Sequence, residues 1–452
     1  MLVAGVDSST QSTKVVLCRA EDGEVVGEAA APHPDGTECD PRHWWEALTR
    51  SLPLLSRASA VSVAGQQHGM VTLDGAGEVV RPALLWNDVR SAPQARALVE
   101  ELGGPAVWAE RSGSVPLAAF TVAKVRWLAE QEPANAARTE AVLLPHDWLT
   151  WRLGSAGYVT DRGDASGTGY FSPATGDYLP EFFTAALGRT VELPRVAAPH
   201  EVVGETAWGA RIAPGTGDNM GAALGLGLLP GDVVVSIGTS GTAFAVSEVP
   251  AADPSGQVAG FADATGRFLP LVCTLNATRI LSSTATMLGR DLEALSGLAQ
   301  AAEPGAGGIT FLPYLDGERT PDRPEATGVL SGLTTANMTP ENLARAAVEG
   351  LLCSLAEAVD HLLAQGLRPA RLLLIGGGAR SEAVRRLAPG IFGCPVTVPE
   401  PAEYVALGAA RQAAWALSGR SPDWPASAAQ TFEAEPVPFV RDQYAALRTA
   451  TS

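Results

Sequence analysis

The sequence predicts an α/β protein of two large domains, and its length, its composition and a recurring strand pattern support this prediction. The chain has 452 residues, which is enough for about two or three domains of ordinary size. With 46% hydrophobic and 18% charged residues, its composition is that of a globular protein. A strand, a turn rich in hydroxyl side chains and a second strand occur at residues 2–16 and again at 233–246. The recurrence suggests an internal duplication, although two unrelated hairpins would give the same pattern.

The individual elements follow from runs and spacings of apolar residues. Short apolar runs bounded by turn residues predict strands at residues 2–6, 14–18, 24–30, 60–64, 232–237, 243–246 and 371–375. Apolar residues at helical spacing predict helices at residues 41–55, 92–102, 121–131, 220–229, 381–392 and 440–449. Ser381 is placed to cap the helix that it begins. We expect the domain boundary just after residue 229, which divides the chain into residues 1–229 and 230–452.

The charge and the cysteines limit the partners and the compartment. The formal net charge of −17 at pH 7 repels a phosphate backbone, so we expect no nucleic-acid binding. The five cysteines are scattered and form no Cys-x-x-Cys pair, which fits a reducing compartment rather than a disulfide framework or a zinc site. The sequence shows neither a signal peptide nor a run of ~18 apolar residues. We therefore expect a cytoplasmic protein with no membrane segment; a homodimer is compatible with the sequence.

Three turns have the composition of anion-binding sites. Residues 7–14 and 238–242 are rich in hydroxyl side chains, and turns of this kind expose backbone N–H groups to an anion. Gly376-Gly377-Gly378-Ala379 lies between a predicted strand and a predicted helix, but it lacks the spacing of the dinucleotide-binding and P-loop motifs. Ordinary hairpin and strand-to-helix turns would explain the same residues.

Two side chains could carry chemistry. Asp218 precedes a predicted helix, so it could either cap that helix or accept a proton from a substrate hydroxyl that Gly215 and Gly217 allow to approach. His68 is flanked by Gly65 and Gly69 at the end of a predicted strand, where it could bind a ligand or simply be packed. No spacing of a transition-metal site and no nucleophile elbow occurs.

Seven motifs in order resemble the FGGY family of carbohydrate kinases, and within it the xylulokinase members, over almost the whole chain. They are Asp7-Ser8-Ser9-Thr10, Gly65-Gln66-Gln67-His68-Gly69, Leu85-Trp86-Asn87-Asp88-Val89-Arg90, Gly217-Asp218-Asn219, Ser236-Ile237-Gly238-Thr239-Ser240-Gly241, Leu312-Pro313-Tyr314-Leu315-Asp316-Gly317-Glu318-Arg319-Thr320-Pro321 and Gly376-Gly377-Gly378-Ala379-Arg380-Ser381. The resemblance implies two actin-like (ribonuclease H-like) domains with an active-site cleft between them. It places sugar binding and the catalytic base in residues 1–229 and nucleotide binding in residues 230–452.

The resemblance also implies the roles of individual residues. By similarity, Asp218 is the general base and Asp7 is the second essential carboxylate. The sugar is held by Gln67, His68, Asp218 and Asn219; this chain has Gln67 where some xylulokinases carry Met. The nucleotide is held by Thr10, Gly238, Thr239, Ser240, Gly241, Gly376, Gly377, Gly378, Ala379 and Ser381. Mg²⁺ is bound by Asp7 and Asp218, directly or through water.

The activity implied by this resemblance is ATP-dependent phosphorylation of D-xylulose to D-xylulose 5-phosphate in xylose metabolism. Three alternatives stay open from the sequence. A kinase of the same family could act on ribulose, gluconate or a related sugar. An actin-like ATPase, chaperone or filament protein could share the fold, although the Gly-Asp-Asn and Gln-His motifs argue against it. A nicotinamide dehydrogenase is disfavoured by the missing glycine spacing.

Overall fold

A computed structural model describes residues 1–451 as an α/β protein. Its strands are β1 (Leu2–Ser8), β2 (Ser12–Arg19), β3 (Val25–Pro32), β4 (Glu38–Cys39), β5 (Ala60–Gly65), β6 (Val71–Leu73), β7 (Ala83–Leu84), β8 (Ala141–Leu143), β9 (Val159–Asp161), β10 (Phe171–Ser172), β11 (Asp177–Tyr178), β12 (Arg195–Ala197), β13 (Gly204–Glu205), β14 (Arg211–Ile212), β15 (Thr216–Gly217), β16 (Asp232–Ile237), β17 (Gly241–Ala245), β18 (Ala259–Ala262), β19 (Phe268–Thr274), β20 (Thr310–Leu312), β21 (Val329–Ser331), β22 (Arg371–Ile375), β23 (Val396–Pro399) and β24 (Ala429–Phe432).

The helices alternate with these strands along the chain. They are α1 (Pro41–Thr49), α2 (Leu52–Leu55), α3 (Ala92–Glu101), α4 (Pro105–Ser112), α5 (Thr121–Gln131), α6 (Pro133–Arg138), α7 (Pro145–Leu153), α8 (Arg162–Ala165), α9 (Pro180–Leu187), α10 (Asp218–Gly225), α11 (Thr278–Met287), α12 (Leu292–Ala301), α13 (Pro340–Ala364), α14 (Glu382–Phe392), α15 (Tyr404–Ser418) and α16 (Pro438–Ala450). Short 3₁₀ turns lie at Ala306–Gly308 and Gly377–Arg380.

The chain divides into two compact units, and each unit consists of three separate segments of the chain. Unit 1 contains residues 1–228, 248–269 and 402–426, and unit 2 contains the remaining segments. The chain therefore leaves unit 1 after residue 228 and returns to it twice.

In unit 1, the main sheet has the strand order β13-β14-β5-β1-β2-β3, with β15 also paired to β5. Strand β1 is antiparallel to β2 and parallel to β5, and β15 is parallel to β5. The carboxyl ends of β1, β5 and β15 consequently lie at one edge of the sheet. Loops that follow these strands start side by side, which is where α/β sheets commonly bind ligands.

In unit 2, β16 is antiparallel to β17 and parallel to β22, within the order β19-β17-β16-β22-β23-β24. This connectivity matches that of unit 1, where β1 is antiparallel to β2 and parallel to β5. The two sequence segments that suggested a duplication thus form equivalent hairpins.

One face of the unit 1 sheet is covered by α15. Apolar residues of β1, β2 and β5 form a buried cluster with Ala406, Ala410 and Ala413 of this helix. The approach is so close that a Cβ at Gly5 would overlap the Ala406 carbonyl oxygen, and a Cβ at Gly408 would overlap the Gly221 backbone of α10. Small residues on both sides are what allow this contact.

Most predicted elements are present, with differences that have local causes. The predicted strands at 232–237 and 371–375 and the helix at 121–131 have the predicted bounds. The predicted helix at 41–55 is wrong, because it is divided into α1 and α2. Pro53 lacks an N–H group and is tolerated only in the first turn of a helix, so a new helix begins there. The helix predicted at 220–229 instead spans Asp218–Gly225.

Candidate active site

The predicted catalytic residues of unit 1 meet at the strand ends. Asp7 of β1 and Thr216 of β15 both align with Ala64 of β5, one on each side. Gln67 is the second residue after β5, and Asp218 follows β15 directly. The register therefore brings Asp7, Gln67 and Asp218 to one edge of the sheet, although they are up to two hundred residues apart in sequence.

Asp7 is a buried carboxylate with both positively and negatively charged side chains nearby. The Ser9 hydroxyl donates a hydrogen bond to Asp7 Oδ1 at 2.5 Å. Burial raises the pKa of Asp7 to about 6, while Ser9 and the Lys14 ammonium act in the opposite direction. Lys14 Nζ itself lies 2.6 Å from Glu403 Oε2. A buried carboxylate without a matching full cation is suited to a ligand that brings positive charge.

Asp218 does not occupy the N-cap position of α10, a role that the sequence had allowed. It is the first residue of α10, whose N-cap is Gly217 and has no side-chain capping bond. Asp218 Oδ1 accepts hydrogen bonds from the Asn219 backbone N–H at 2.8 Å and from Asn219 Nδ2 at 3.0 Å. The capping interpretation of Asp218 is therefore wrong, and its carboxylate stays available for chemistry.

The electrostatic surroundings make Asp218 a stronger base than an ordinary carboxylate. Burial raises the pKa of Asp218 to about 8, and the Asp7 and Asp164 carboxylates add to this effect. The strand register places the Asp7 and Asp218 carboxylates at the same edge of the sheet. Two neighbouring carboxylates are a donor set that fits Mg²⁺, which is usually bound by one or two carboxylates together with substrate phosphates and water.

Gln67 and Asn219 are joined side chain to side chain. Asn219 Nδ2 donates a hydrogen bond to Gln67 Oε1 at 3.0 Å, in addition to its bond to Asp218. Gln67 is buried, and Asn219 is half-buried. The structure thus links two of the predicted sugar-binding residues to the predicted base.

The ring of His68 is fixed in one orientation. Its Nδ1 lies 2.6 Å from the Gly167 carbonyl oxygen, and because a carbonyl only accepts, Nδ1 carries the proton. The ring centroid lies 4.8 Å from that of Phe120 and 5.7 Å from that of Phe261. The backbone of His68 is left-handed, with φ 67°, which is uncommon for a residue other than glycine and often marks a functional site.

Thr10 lies in the first hairpin turn of unit 1 and is held by two partners. Its hydroxyl donates to Gln66 Oε1 at 3.2 Å and accepts from Trp86 Nε1 at 2.8 Å. These bonds tie the turn after β1 to the loop after β5 and to the Trp-Asn-Asp motif. The geometry gives that motif a structural role that its sequence did not reveal.

His33 also supports the turn between β1 and β2, a role that was not predicted from the sequence. Its Nδ1 donates to the Ser9 carbonyl oxygen at 3.0 Å, so that Nε2, 2.8 Å from Thr13 Oγ1, accepts in the neutral ring. Burial lowers the pKa of His33, which favours this neutral form. No sequence motif surrounds His33. It directly follows β3, which pairs with β2, and this pairing is what brings its ring to Ser9 and Thr13.

In unit 2, the two glycine turns lie against each other. A Cβ at Gly376, whose φ is 88°, would lie 2.7 Å from the Ile237 carbonyl oxygen, and a Cβ at Gly378 would overlap the Ile237 side chain. The Gly238 carbonyl in turn accepts a hydrogen bond from the Thr278 N–H at 3.0 Å. The glycines therefore permit contact between the turn after β16 and the turn after β22.

The remaining nucleotide-site candidates of unit 2 belong to these same turns. The first turn contains Gly238, Thr239, Ser240 and Gly241, and the second contains Gly376, Gly377, Gly378, Ala379 and Ser381. As predicted, Ser381 is the N-cap of α14, and its Oγ accepts from the Val384 N–H at 3.5 Å. Its O–H can still donate to another group.

Residues 1–451 contain no group of three or more His, Cys, Asp or Glu side chains arranged to hold a metal ion. Among the helices of this same range, none has both the length and the apolar character that a membrane span requires.

Comparison with known proteins gives consistent matches over the whole chain. The model of the FGGY family of carbohydrate kinases, N-terminal domain, matches residues 2–225, and that of the C-terminal domain matches residues 233–417. The xylulose kinase of Streptomyces coelicolor is 52% identical over 435 residues, which cover 92% of this chain and 88% of that protein. The xylulose kinase of Streptomyces rubiginosus is 51% identical over 438 residues, with 93% and 89% covered. The crystal structure of xylulose kinase from Bifidobacterium adolescentis superposes with a TM-score of 0.91 at 46% identity and covers 99% of both chains. These matches confirm the predicted fold class, two actin-like α/β domains.

Proposed function

This chain belongs to the FGGY family of carbohydrate kinases, and on that premise we propose that it transfers the γ-phosphoryl group of ATP to the 5-hydroxyl of D-xylulose. The reaction class, an ATP-dependent sugar kinase, follows from the family. The choice of D-xylulose is supported by the two Streptomyces xylulose kinases, which are 51–52% identical to this chain. We assign sugar binding and the catalytic base to residues 1–229 and nucleotide binding to residues 230–452.

The observation that carries the proposal is the pair of carboxylates at the strand ends of unit 1. Phosphoryl transfer to an alcohol needs a base for the hydroxyl proton and neutralisation of charge on the phosphate, but little covalent assistance. Asp218, whose pKa is raised to about 8, is the base that accepts this proton. A base of this strength lies close to the working pH, where general-base catalysis is most effective.

The donor is ATP with Mg²⁺, and Asp7 and Asp218 are the residues that would hold the ion, directly or through water. When bound, Mg²⁺ neutralises charge on the phosphate oxygens. The hydroxyl-rich turn that contains Thr10 and the turn at Gly238, Thr239, Ser240 and Gly241 donate N–H and O–H groups to the phosphates. Residues Gly376, Gly377, Gly378, Ala379 and Ser381 line the adenosine site.

The sugar is held by the polar side chains around the base. Gln67, His68 and Asn219 supply hydrogen bonds to its hydroxyl groups, and Asp218 contacts the hydroxyl that receives the phosphoryl group. The fixed ring of His68 supports this role, because a side chain that is already oriented loses little entropy when a ligand binds. Water is excluded from the transfer when the sugar and the nucleotide are both bound.

We also propose the partners, the cellular compartment and the assembly of the enzyme. The acceptor is a small sugar and not a nucleic acid, which the net charge of −17 supports. Four of the five cysteines, Cys18, Cys39, Cys273 and Cys353, are buried and all five are free, which supports a reducing cytoplasm. We keep a homodimer as the assembly to be tested by light scattering.

The experiment that tests the function is a coupled assay of ADP release with a panel of pentuloses, hexuloses, polyols and sugar acids. We expect ADP release that depends on the sugar and is greatest in kcat/KM for D-xylulose. A greater kcat/KM for ribulose or gluconate would contradict the substrate assignment. ATP turnover that is the same with and without every sugar would contradict a kinase altogether.

A further inference from the structure

A second polar cluster lies buried beneath the candidate active site, and none of its residues has been assigned a contact with the sugar or the nucleotide. It consists of His146 and Asp147 at the start of α7, Asp161 at the end of β9, and Asp164 in α8, and all four are at most 2% exposed. His146 Nδ1 donates to Asp164 Oδ2 at 2.7 Å, and His146 Nε2 lies 3.2 Å from Asp147 Oδ1 on its other side. Buried charges are costly unless they are paired, so this arrangement needs an explanation.

The second oxygen of Asp164 points out of this cluster toward the active site. Asp164 Oδ1 is buried and has no hydrogen-bond partner among residues 1–451. A Cβ placed on Gly217 would lie 3.2 Å from Asp164 Oδ1 and 3.0 Å from Gln67 Cγ. Gly217 is the residue before Asp218, so the unpaired oxygen lies beside the Gln67 side chain and next to the base.

The Gln67 amide has one end committed to Asn219 and the other end directed at Asp164. Its Oε1 accepts from Asn219 Nδ2 at 3.0 Å, so its Nε2 is the end that remains for other contacts. This Nε2 is buried and, like Asp164 Oδ1, has no hydrogen-bond partner in the described part of the chain. Burial raises the pKa of Asp164, whereas His146 and then the Gln67 side chain act in the opposite direction. The Gln67 amide therefore lies between Asn219, to which it is hydrogen-bonded, and the unpaired oxygen of Asp164.

We infer that Asp164 is a positioning residue for sugar binding: held by His146, it fixes the Gln67 amide, which in turn holds Asn219 beside Asp218. This inference rests on the proposed function of that site. It assigns a purpose to the buried cluster, because His146 fixes one oxygen of Asp164 and leaves the other to orient Gln67.

A carboxylate is required at position 164 because it only accepts hydrogen bonds. An ionised Asp presents acceptors to both neighbours, so Gln67 has to turn its NH₂ toward Asp164 and its oxygen toward Asn219. An Asn at position 164 would also offer an NH₂ group, and Gln67 could then turn over. In the reversed orientation, the Gln67 NH₂ would meet the NH₂ of Asn219, and the link to the base would be lost.

The test is the variant Asp164→Asn in the full chain, with the sugar of greatest kcat/KM from the panel above. We expect KM for the sugar to rise about 5- to 50-fold while KM for ATP changes less than twofold, which corresponds to the loss of one hydrogen bond in a polar network. Calorimetric titration of the sugar in the absence of ATP should show the same loss of affinity. The matched control is Asp147→Asn, which touches His146 from the other side and does not face Gln67, and it should leave KM for the sugar within twofold.

Gln67→Met separates positioning through the amide from a general loss of structure. We expect this variant to raise KM for the sugar to a similar extent, and Asp164→Asn should add nothing further in the Gln67→Met background. An unchanged KM for the sugar in either single variant, or fully additive effects in the double variant, would overturn the inference. If Asp164→Asn fails to fold, His146→Gln takes its place, because it removes the ring that fixes Asp164 without touching Gln67 or the sugar. A rise in KM for the sugar but not for ATP supports the inference, and an unchanged KM for the sugar overturns it. A failure of the proposed function is distinguishable, because it would appear in the unchanged protein as ADP release independent of any sugar.

Discussion

Replacement of Asp218 by Asn is the most direct test of the catalytic assignment. The substitution keeps the size and hydrogen-bond acceptor of the side chain but removes its charge and its ability to take a proton. In the structure, Asp218 Oδ1 accepts from the backbone and side chain of Asn219, and an Asn oxygen can accept both bonds. No helix cap is lost, because the N-cap of α10 is Gly217.

The magnitude follows from the surroundings of the carboxylate. The pKa of Asp218 is raised from 3.8 to about 8, so the proton acceptor that is lost is much stronger than an ordinary carboxylate. General-base catalysis is typically worth 10²–10⁴-fold, or about 3–5 kcal/mol of activation free energy. We expect kcat to fall by at least about 10²-fold. The melting temperature should stay the same or rise, because folding disfavours the charged form of Asp218, whose pKa is raised to about 8, whereas an Asn side chain is neutral in both the folded and the unfolded protein.

The assay measures sugar-dependent ADP release, ATP binding and thermal unfolding on one preparation of each protein. Retained ATP binding and an unchanged or higher melting temperature show that the variant is folded. Activity within about tenfold of the unchanged protein would refute Asp218 as the base. A clear drop in melting temperature would instead refute the conclusion that its carboxylate has no structural role.

Three further substitutions test the remaining assignments. Asp7→Ala should leave circular dichroism unchanged but lower kcat strongly at saturating Mg²⁺, because a buried carboxylate near the phosphates is lost; a near-normal kcat would contradict this. His68→Ala should raise KM for the sugar by about 5- to 150-fold, the equivalent of ~1–3 kcal/mol, and KM for ATP far less; equal effects on both would indicate a packing role. His146→Gln should lower the melting temperature more at pH 7 than at pH 9.5. Although burial opposes its charge, the Asp147 and Asp164 carboxylates raise the pKa of His146 to about 9, above its ordinary 6.5. The ion pair thus contributes stability that is present below pH 6.5 and lost as the pH rises through 9; a pH-independent difference would count against the pair.

The sequence predicted the hairpins of both units because their signals are local. A short β-branched run followed by small polar residues is sufficient to place β16 and the turn at Gly238. The motifs also indicated Asp7, Gln67, His68 and Asp218 as residues of one site. The register of β1, β5 and β15 places the ends of these strands side by side, while the grouping of the four residues into one site stays a prediction.

The buried cluster around His146 could not be predicted in the same way. His146 and Asp164 are 18 residues apart on different elements, and no short-range spacing announces their contact. The helix that carries His146 did have a detectable signal, with Pro145 in its first turn and Asp147 accepting from the Leu144 N–H. Its residues are buried on most sides, so they lack the apolar periodicity on which helix prediction depends.

The position of α15 has a consequence for the order in which the protein folds during synthesis. The helix consists of residues 404–418, yet it covers strands that consist of residues 2–8, 12–19 and 60–65. A ribosome must therefore translate nine-tenths of the chain before this face of the first sheet can be covered, and until then its apolar side chains are exposed to chaperones or to other nascent chains. A fragment that ends at residue 229 would leave the same face permanently uncovered. To express unit 1 alone, residues 402–426 should therefore be joined to the N-terminal fragment through a linker. A fragment that is simply truncated at the predicted domain boundary, residue 229, would lack them.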